Sequence, residues 1–230
     1  MGTHYGPGFF EWIRVSASAS AEIVVPLVCD LIGPSSVVDI GCGTGDWLDA
    51  FARNGARDHL GVDESYGDHT TIAEAHFVAA DLRVPCSIGR TFDLAMSLEV
   101  AEHLPVERST GFVADLVKLA PVVMFSAAVP GQGGEHHVNE QWQSWWADIF
   151  ALHGYAAQDV IRPLIWNDDR VASWYRQNTI LYVRNAQPTT TILDVVHPRT
   201  FEEGPARTLR LRQHLALLPT ATRRAIRNRF

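Results

Sequence analysis

Cysteine is scarce in this 230-residue chain: Cys29, Cys42 and Cys86 are odd in number and irregularly spaced. That excludes a disulfide framework and the paired spacing of a structural zinc site, and it fits a reducing compartment. Long apolar runs are also lacking. The longest near the start, Ile23 to Cys29, is too short to span a bilayer, and Met1 to Phe10 has no basic start followed by an apolar stretch. A cytoplasmic protein, neither secreted nor membrane-inserted, is expected. Positive charge is in deficit: 19 Lys and Arg against 26 Asp and Glu give a net charge of -7, His counted neutral. Nucleic acids and anionic membranes select for clustered Lys and Arg, so neither is an expected partner. No internal repeat points to a solenoid.

What remains is ordinary globular composition, 47% hydrophobic and 20% charged, enough to bury a core as one domain with an appendage. Ser16 to Ile32 reads as a helix stopped by Gly33-Pro34, with Pro26 predicting a kink or break. From Ser36 short apolar strands alternate with helical stretches. The strands are Val37–Ile40, His59–Val62, Phe77–Ala80, Phe92–Leu98, Val122–Ala128, Ala157–Ile161 and Thr179–Val183. The helices between them are Trp47–Asn54, Pro105–Leu119 and about Glu140–His153. Such alternation predicts an α/β fold around a mostly parallel sheet. A catalytic domain over residues 1–186 and an Arg-rich extension over 187–230 follow. In that extension Leu209, Leu211, Leu215, Leu217 and Leu218 suggest a helix with one apolar side, docking on the body or on a second copy; a solvated tail is the alternative.

Within the first strand-loop-helix unit, Val37 to Gly45 ends in Gly41, Gly43 and Gly45, which remove side chains where the backbone turns tightly and a ligand approaches. A glycine triplet alone serves NAD, FAD or a plain turn equally well. Asp39 on the preceding strand favours a carboxylate-lined site over a phosphate pocket. Asp63, ending a second strand, is placed to take two hydrogen bonds from a ribose diol, unless it is an ordinary loop acid.

Together Asp39 to Gly45, Gly61-Val62-Asp63, Ala80-Asp81-Leu82 and Phe92-Asp93-Leu94 resemble the successive motifs of class I S-adenosylmethionine-dependent methyltransferases, over about residues 20–185. The resemblance implies a Rossmann-like seven-stranded sandwich with helices on both faces. It further implies that Gly41, Gly43 and Gly45 border the methionine moiety, Asp63 holds the ribose, Asp81 meets the adenine amino group, and Leu82 packs on the base. Leu98, ending the fourth strand, joins the cofactor's surroundings. For Asp81 a surface helix cap is the alternative.

Ser97 to Pro105 then places Glu99, Glu102 and His103 on one side of an expected helical turn, a mixed oxygen and nitrogen set suited to Mg²⁺ or a similar divalent ion. Acids at a helix start favoured by its dipole are the competing account. A Gly-rich loop, Pro130 to Gly134, delivers Glu135, His136 and His137. The combination Glu99-x-x-Glu102-His103 with His137-x-x-Glu140 resembles metal-dependent O-methyltransferases, namely the small-RNA terminal 2′-O-methyltransferases. Its first half is similar to the ubiquinone-pathway enzymes. By position, Glu99, Glu102, His103 and His137 become metal ligands, with His136 as general base, Glu135 its competitor. The acidic charge sets the chain apart from the RNA enzymes.

Five Trp lie between residues 142 and 174. Trp142, Trp145, Trp146 and Phe150 have the spacing of a core stripe, whereas Trp166 and Trp174, with Asn167, Asp168 and Asp169, are the better candidates for stacking on a sugar ring. Phe125 to Gly134 with His137 to Trp142 resembles small bacterial methyltransferases of glycan assembly, of the methylmannose polysaccharide type, which implies a saccharide acceptor. Two other accounts stay open: a metal-free small-molecule methyltransferase with His136 or His137 as base, and a non-catalytic binding subunit.

Overall fold

The computed structural model describes residues 7–65, 70–188 and 194–203, with side chains from Val15 onward. The Arg-rich run from Arg207 to the C-terminus, with its expected apolar-sided helix, lies outside the described residues.

One seven-stranded sheet organises the chain in the order β3-β2-β1-β4-β5-β7-β6. Its strands are β1 (Ser36–Ile40), β2 (Asp58–Asp63), β3 (Phe77–Ala79), β4 (Leu94–Leu98), β5 (Val122–Ser126), β6 (Tyr155–Gln158) and β7 (Ile180–Arg184). The first five are parallel, and β7 runs antiparallel to both β5 and β6. This is the α/β, mostly parallel architecture expected from the alternation. Strand order reverses between β1 and β4, the place where such sheets bind ligands beyond the carboxyl ends of their strands.

The strands are apolar on both faces because both are covered. Val38, Ala95, Val123, Phe125 and Tyr182 face α3 (Ser109–Leu119) and α4 (Gln143–Leu152). Val37, Leu94, Met96, Met124 and Leu181 face α1 (Pro7–Ile32), α2 (Asp46–Arg53), α5 (Arg162–Ile165) and α6 (Ser173–Asn178). Phe150 of α4 stacks on Tyr182 with ring centroids 3.8 Å apart. A short helix α7 (Pro198–Glu203) follows the sheet.

Several boundaries differ from the sequence reading. Helix α1 starts at Pro7 rather than Ser16 and runs unbroken through Pro26. Val24, Val25 and Val28, all fully buried, hold the helix around the lost hydrogen bond. Its window Val15–Ile32 is long and apolar enough to cross a bilayer by length and composition, which the short run from Ile23 did not suggest. In the fold, however, the buried face of α1 packs on α2. Helix α4 begins at Gln143, three residues late, and β6 ends at Gln158 rather than Ile161. Strand β4 begins at Leu94, because the Asp93 carboxylate turns back to accept the Ser35 and Ser36 N–H groups at 2.8 and 3.0 Å.

Candidate active site

The glycine loop follows β1 closely. Gly41 donates its N–H to the Val62 carbonyl at 2.7 Å and has φ 88°, and a Cβ there would lie 2.4 Å from a Val100 methyl. Gly45, at φ 86°, delivers the chain into α2. Asp63 closes the loop from the end of β2: its carboxylate accepts the Gly43 N–H at 2.8 Å and the Glu64 N–H at 2.7 Å. Asp39 lies on β1, 3% exposed, and burial followed by the charge of Asp63 pushes its pKa well above the carboxylate range. The Gly41–Gly45 loop, Asp39 and Asp63 therefore form one cluster beside the switch point.

Beyond β3, Asp81 is exposed and accepts bonds from the Arg83 N–H and Nε at 2.9 and 2.8 Å, and this partner lowers its pKa. Leu82 is buried among Phe92, Leu104 and Phe112, and Leu98 is buried at the end of β4. Arg108, just before α3, fixes this stretch. Its Nε donates to the Leu82 carbonyl and its Nη2 to the Val84 carbonyl, both at 3.0 Å, while Nη2 also meets Asp115 at 2.5 Å. Sequence reading missed Arg108, since a buried arginine looks the same as an exposed one until its acidic partner, seven residues on, is placed.

Past β4 the expected helical turn is smaller than foreseen. Only Ala101–His103 form a 3-10 turn, and Glu99 precedes it with a left-handed backbone, φ 56°. The reason lies in the sheet: the Glu99 N–H still bonds the Ser126 carbonyl, at 3.0 Å, so the chain must reverse sharply after it. Glu102, His103 and His137 nevertheless converge, each offering a ligand atom within 4.8 Å of the others. Glu99 stands outside that trio, yet its charge is the second cause, after burial, that raises the pKa of Glu102.

The donor set fits a divalent cation. Glu102 is fully buried, and the groups that reach its carboxyl are the backbone at Glu102 and Ala128 and the Glu99 side chain, with no fixed cation among them. An uncompensated buried carboxylate is expensive, and a cation is what removes that cost. Both imidazoles carry the outer partner that metal-binding histidines have. His137 shares its Nδ1 with Glu140 at 3.1 Å, and the His103 ring is hydrogen-bonded to the backbone of His136. Partial burial, then His137, lowers the pKa of His103, favouring the neutral ligating form. Glu140 also accepts the Gly131 and Gly133 N–H groups, both at 2.8 Å, so one carboxylate folds the Gly-rich loop and orients His137. Gly134 is required there: a Cβ would sit 2.2 Å from His137 Nε2. Glu135 and His136 are exposed on the same loop, His136 at φ 58°.

Glu99 is held by residues that sequence reading did not single out. Asn178 Nδ2 donates to one carboxylate oxygen at 3.0 Å and Gln132 Nε2 to the other at 3.1 Å. The signal was the polar run Arg176 to Thr179 directly before an apolar strand, all four residues buried.

Of the aromatic residues, Trp146 and Phe150 are core, as their spacing suggested, while Trp142 caps α4 and is 38% exposed. Trp174 packs against the α1 side of the core. Trp166 lies against His197, ring centroids 4.6 Å apart. Neither Trp166 nor Trp174 belongs to the Glu102, His103 and His137 trio.

A family model described as a methyltransferase domain matches residues 18–158. No curated protein sequence matches the chain. Among solved structures, DesVI of Streptomyces venezuelae is similar at 14% identity and TM-score 0.59, over 80% of this chain and 100% of that one. The sugar N-methyltransferase KedS8 from Streptoalloteichus sp. is similar at 16% identity and TM-score 0.59, over 81% and 96% of the two chains. The methyltransferase domain of bacterial CtHen1 is similar at 18% identity and TM-score 0.52, over 73% and 99%. At these identities the likeness is one of fold.

Proposed function

Because this chain belongs to the methyltransferase domain family, and is on that ground an enzyme, we propose that it transfers a methyl group from S-adenosylmethionine to a hydroxyl of a sugar or oligosaccharide with the help of a divalent ion. The observation that carries the metal part is the Glu102 carboxyl, fully buried with no fixed cation against it and converging with His103 and His137.

In this reading Gly41, Gly43 and Gly45 let the methionine end of the donor approach the backbone, Asp39 lines that end, and Asp63 takes the ribose hydroxyls. Asp81 and Leu82, with Leu98, border the base. Glu102, His103 and His137 hold the ion, with Glu99 the fourth candidate ligand. When bound, the ion acidifies and orients the acceptor hydroxyl. Transfer forms a C–O bond as the methyl–sulfur bond breaks in line, leaving a neutral thioether. His136 takes the hydroxyl proton, with Glu135 as its competitor on the loop. The exposed Trp142 and Val138, following His137, supply the apolar surface on which a sugar ring packs. The net charge of -7 speaks against RNA as acceptor.

The test is methyl transfer to a panel of oligosaccharides before and after exhaustive chelation. Activity that disappears with EDTA and returns with Mg²⁺ or Mn²⁺ supports the reading, whereas undiminished activity sinks the metal part. The His137–Glu140 pair favours a second reading, in which an imidazole oriented by a carboxylate acts as base without any ion. Glu102→Gln would then be nearly silent in activity.

A further inference from the structure

Residues 194–203 lie beyond the last strand, yet they are bound into the same body as the Glu102 cluster. The Asp194 carboxylate accepts both the N–H and the hydroxyl of Ser144, each at 2.8 Å, at the start of α4. The Val195 carbonyl accepts from Gln143 Nε2 at 3.0 Å. His197 is 5% exposed, and its Nε2 meets the Trp166 carbonyl at 2.8 Å. This segment is a strap across α4, α6 and the loop after α5.

One bond of the strap has consequences at the site. The His197 backbone N–H donates to Gln177 Oε1 at 2.7 Å, and Gln177 is fully buried. A backbone N–H can only donate, so Gln177 must present its oxygen to the strap and its NH₂ group inward. That NH₂ donates to Gln132 Oε1 and to Asn178 Oδ1, both at 2.9 Å. With their oxygens so occupied, Gln132 and Asn178 both turn their NH₂ groups to Glu99. Each of the three amides has two orientations of nearly equal shape; the N–H of residue 197 selects that of Gln177, while the Val129 N–H, donating to Gln132 Oε1 at 3.3 Å, favours the same orientation of Gln132 from the other side.

We infer that the strap is a positioning element of the active site: the His197 backbone N–H, relayed by Gln177 to Gln132 and Asn178, holds Glu99 as an oriented carboxylate facing the Glu102 cluster. The part of the chain that serves the site thus extends past residue 186 to residue 197. His197 and Gln177 act through Glu99 and touch no reacting atom. The metal consequence rests on the function proposed above; the amide orientation does not. Outer partners of this kind alter metal affinity by about 10–100-fold.

The experiment compares full-length wild type with His197→Ala, which keeps the N–H and loses the imidazole, and His197→Pro, which loses both. Gln177→Leu removes the relay itself and stands in should His197→Pro fail to fold. Mn²⁺ affinity is read by electron paramagnetic resonance of the free ion, S-adenosylhomocysteine affinity by calorimetry, and the side-chain amides of Gln132 and Asn178 by ¹⁵N NMR. Expected are an Mn²⁺ affinity within about twofold of wild type for His197→Ala and about tenfold weaker for His197→Pro and Gln177→Leu. S-adenosylhomocysteine affinity stays unchanged, and the amide signals shift in His197→Pro and Gln177→Leu but not in His197→Ala. If folded His197→Pro, or Gln177→Leu in its place, matches His197→Ala in both Mn²⁺ affinity and amide signals, the inference is overturned. Should wild type bind no Mn²⁺, the metal reading fails on its own, and the amide signals alone decide: unshifted signals overturn the relay, shifted ones sustain it.

Discussion

Arg108→Leu removes a guanidinium that is 8% exposed and bonds the carbonyls of Leu82 and Val84 and the carboxylate of Asp115. Asp115 is itself 11% exposed in its side chain and also accepts the Cys86 N–H at 3.0 Å. Lys118, at 3.5 Å and 72% exposed, is a weak substitute counter-ion. Breaking a buried pair by removing one partner costs about 3–5 kcal/mol, because the other charge stays behind in a poor solvent. Against a total stability of about 5–15 kcal/mol this is a large fraction. At about 2–4 °C per kcal/mol for a chain of this size, the melting temperature falls by roughly 6–20 °C. The stretch carrying Asp81 and Leu82 loses its tether, so affinity for the methyl donor falls as well. The double variant Arg108→Leu, Asp115→Leu strands no charge and recovers part of the stability, the Leu82 and Val84 carbonyls and the Cys86 N–H still lacking their partners. Thermal melts and donor calorimetry on the three proteins decide the matter. A single variant melting within 2 °C of wild type, or a double variant no better than the single, would falsify the argument.

Gly41→Ala forces a side chain into left-handed backbone and against Val100; a loss of about 2–5 kcal/mol is expected, seen in urea unfolding together with weaker donor binding. Asp39 holds its proton more tightly when folded than the unfolded chain does. Its contribution is therefore fully present below its ordinary value of 3.8 and declines as pH rises above it. Asp39→Asn should flatten the fall in stability between pH 4 and 7 while weakening the donor complex; a decline as steep as in wild type would discredit the assignment. Trp142→Ala, at a half-exposed cap, should leave the melting temperature within about 3 °C and raise KM for a saccharide acceptor several-fold without changing donor affinity, as steady-state kinetics will report.

Local signals carried the sheet. Val37–Ile40, His59–Val62 and Val122–Ala128 read as strands because a doubly covered parallel strand is apolar at most positions, and the last of them ends at Ser126. The glycine loop was legible because left-handed backbone and the close approach of Val100 leave glycine as the suitable residue at Gly41. Helix α1 was read short because Ser16, a residue type favoured at helix starts, drew the expected start there, past Pro7. Glu99 was read as helical because Glu-x-x-Glu-His has helical spacing, and nothing local reports that Glu99 remains paired to β5.

The sequence by itself determined an α/β methyltransferase-type sheet, a glycine loop beside Asp39 and Asp63, and a set of acids and imidazoles after the fourth and fifth strands. Periodicity, steric demand and donor chemistry are properties of neighbouring residues. Only the tertiary structure decided that Glu102, His103 and His137 meet, with Glu99 beside them held by Asn178 and Gln132. It alone decided that Glu140 orients His137 and that Arg108 finds Asp115. Glu99 and Asn178 are 79 residues apart, and His197 and Gln177 are 20. Contacts across such separations arise from the packing of the sheet and its helices, which leaves no imprint on local spacing.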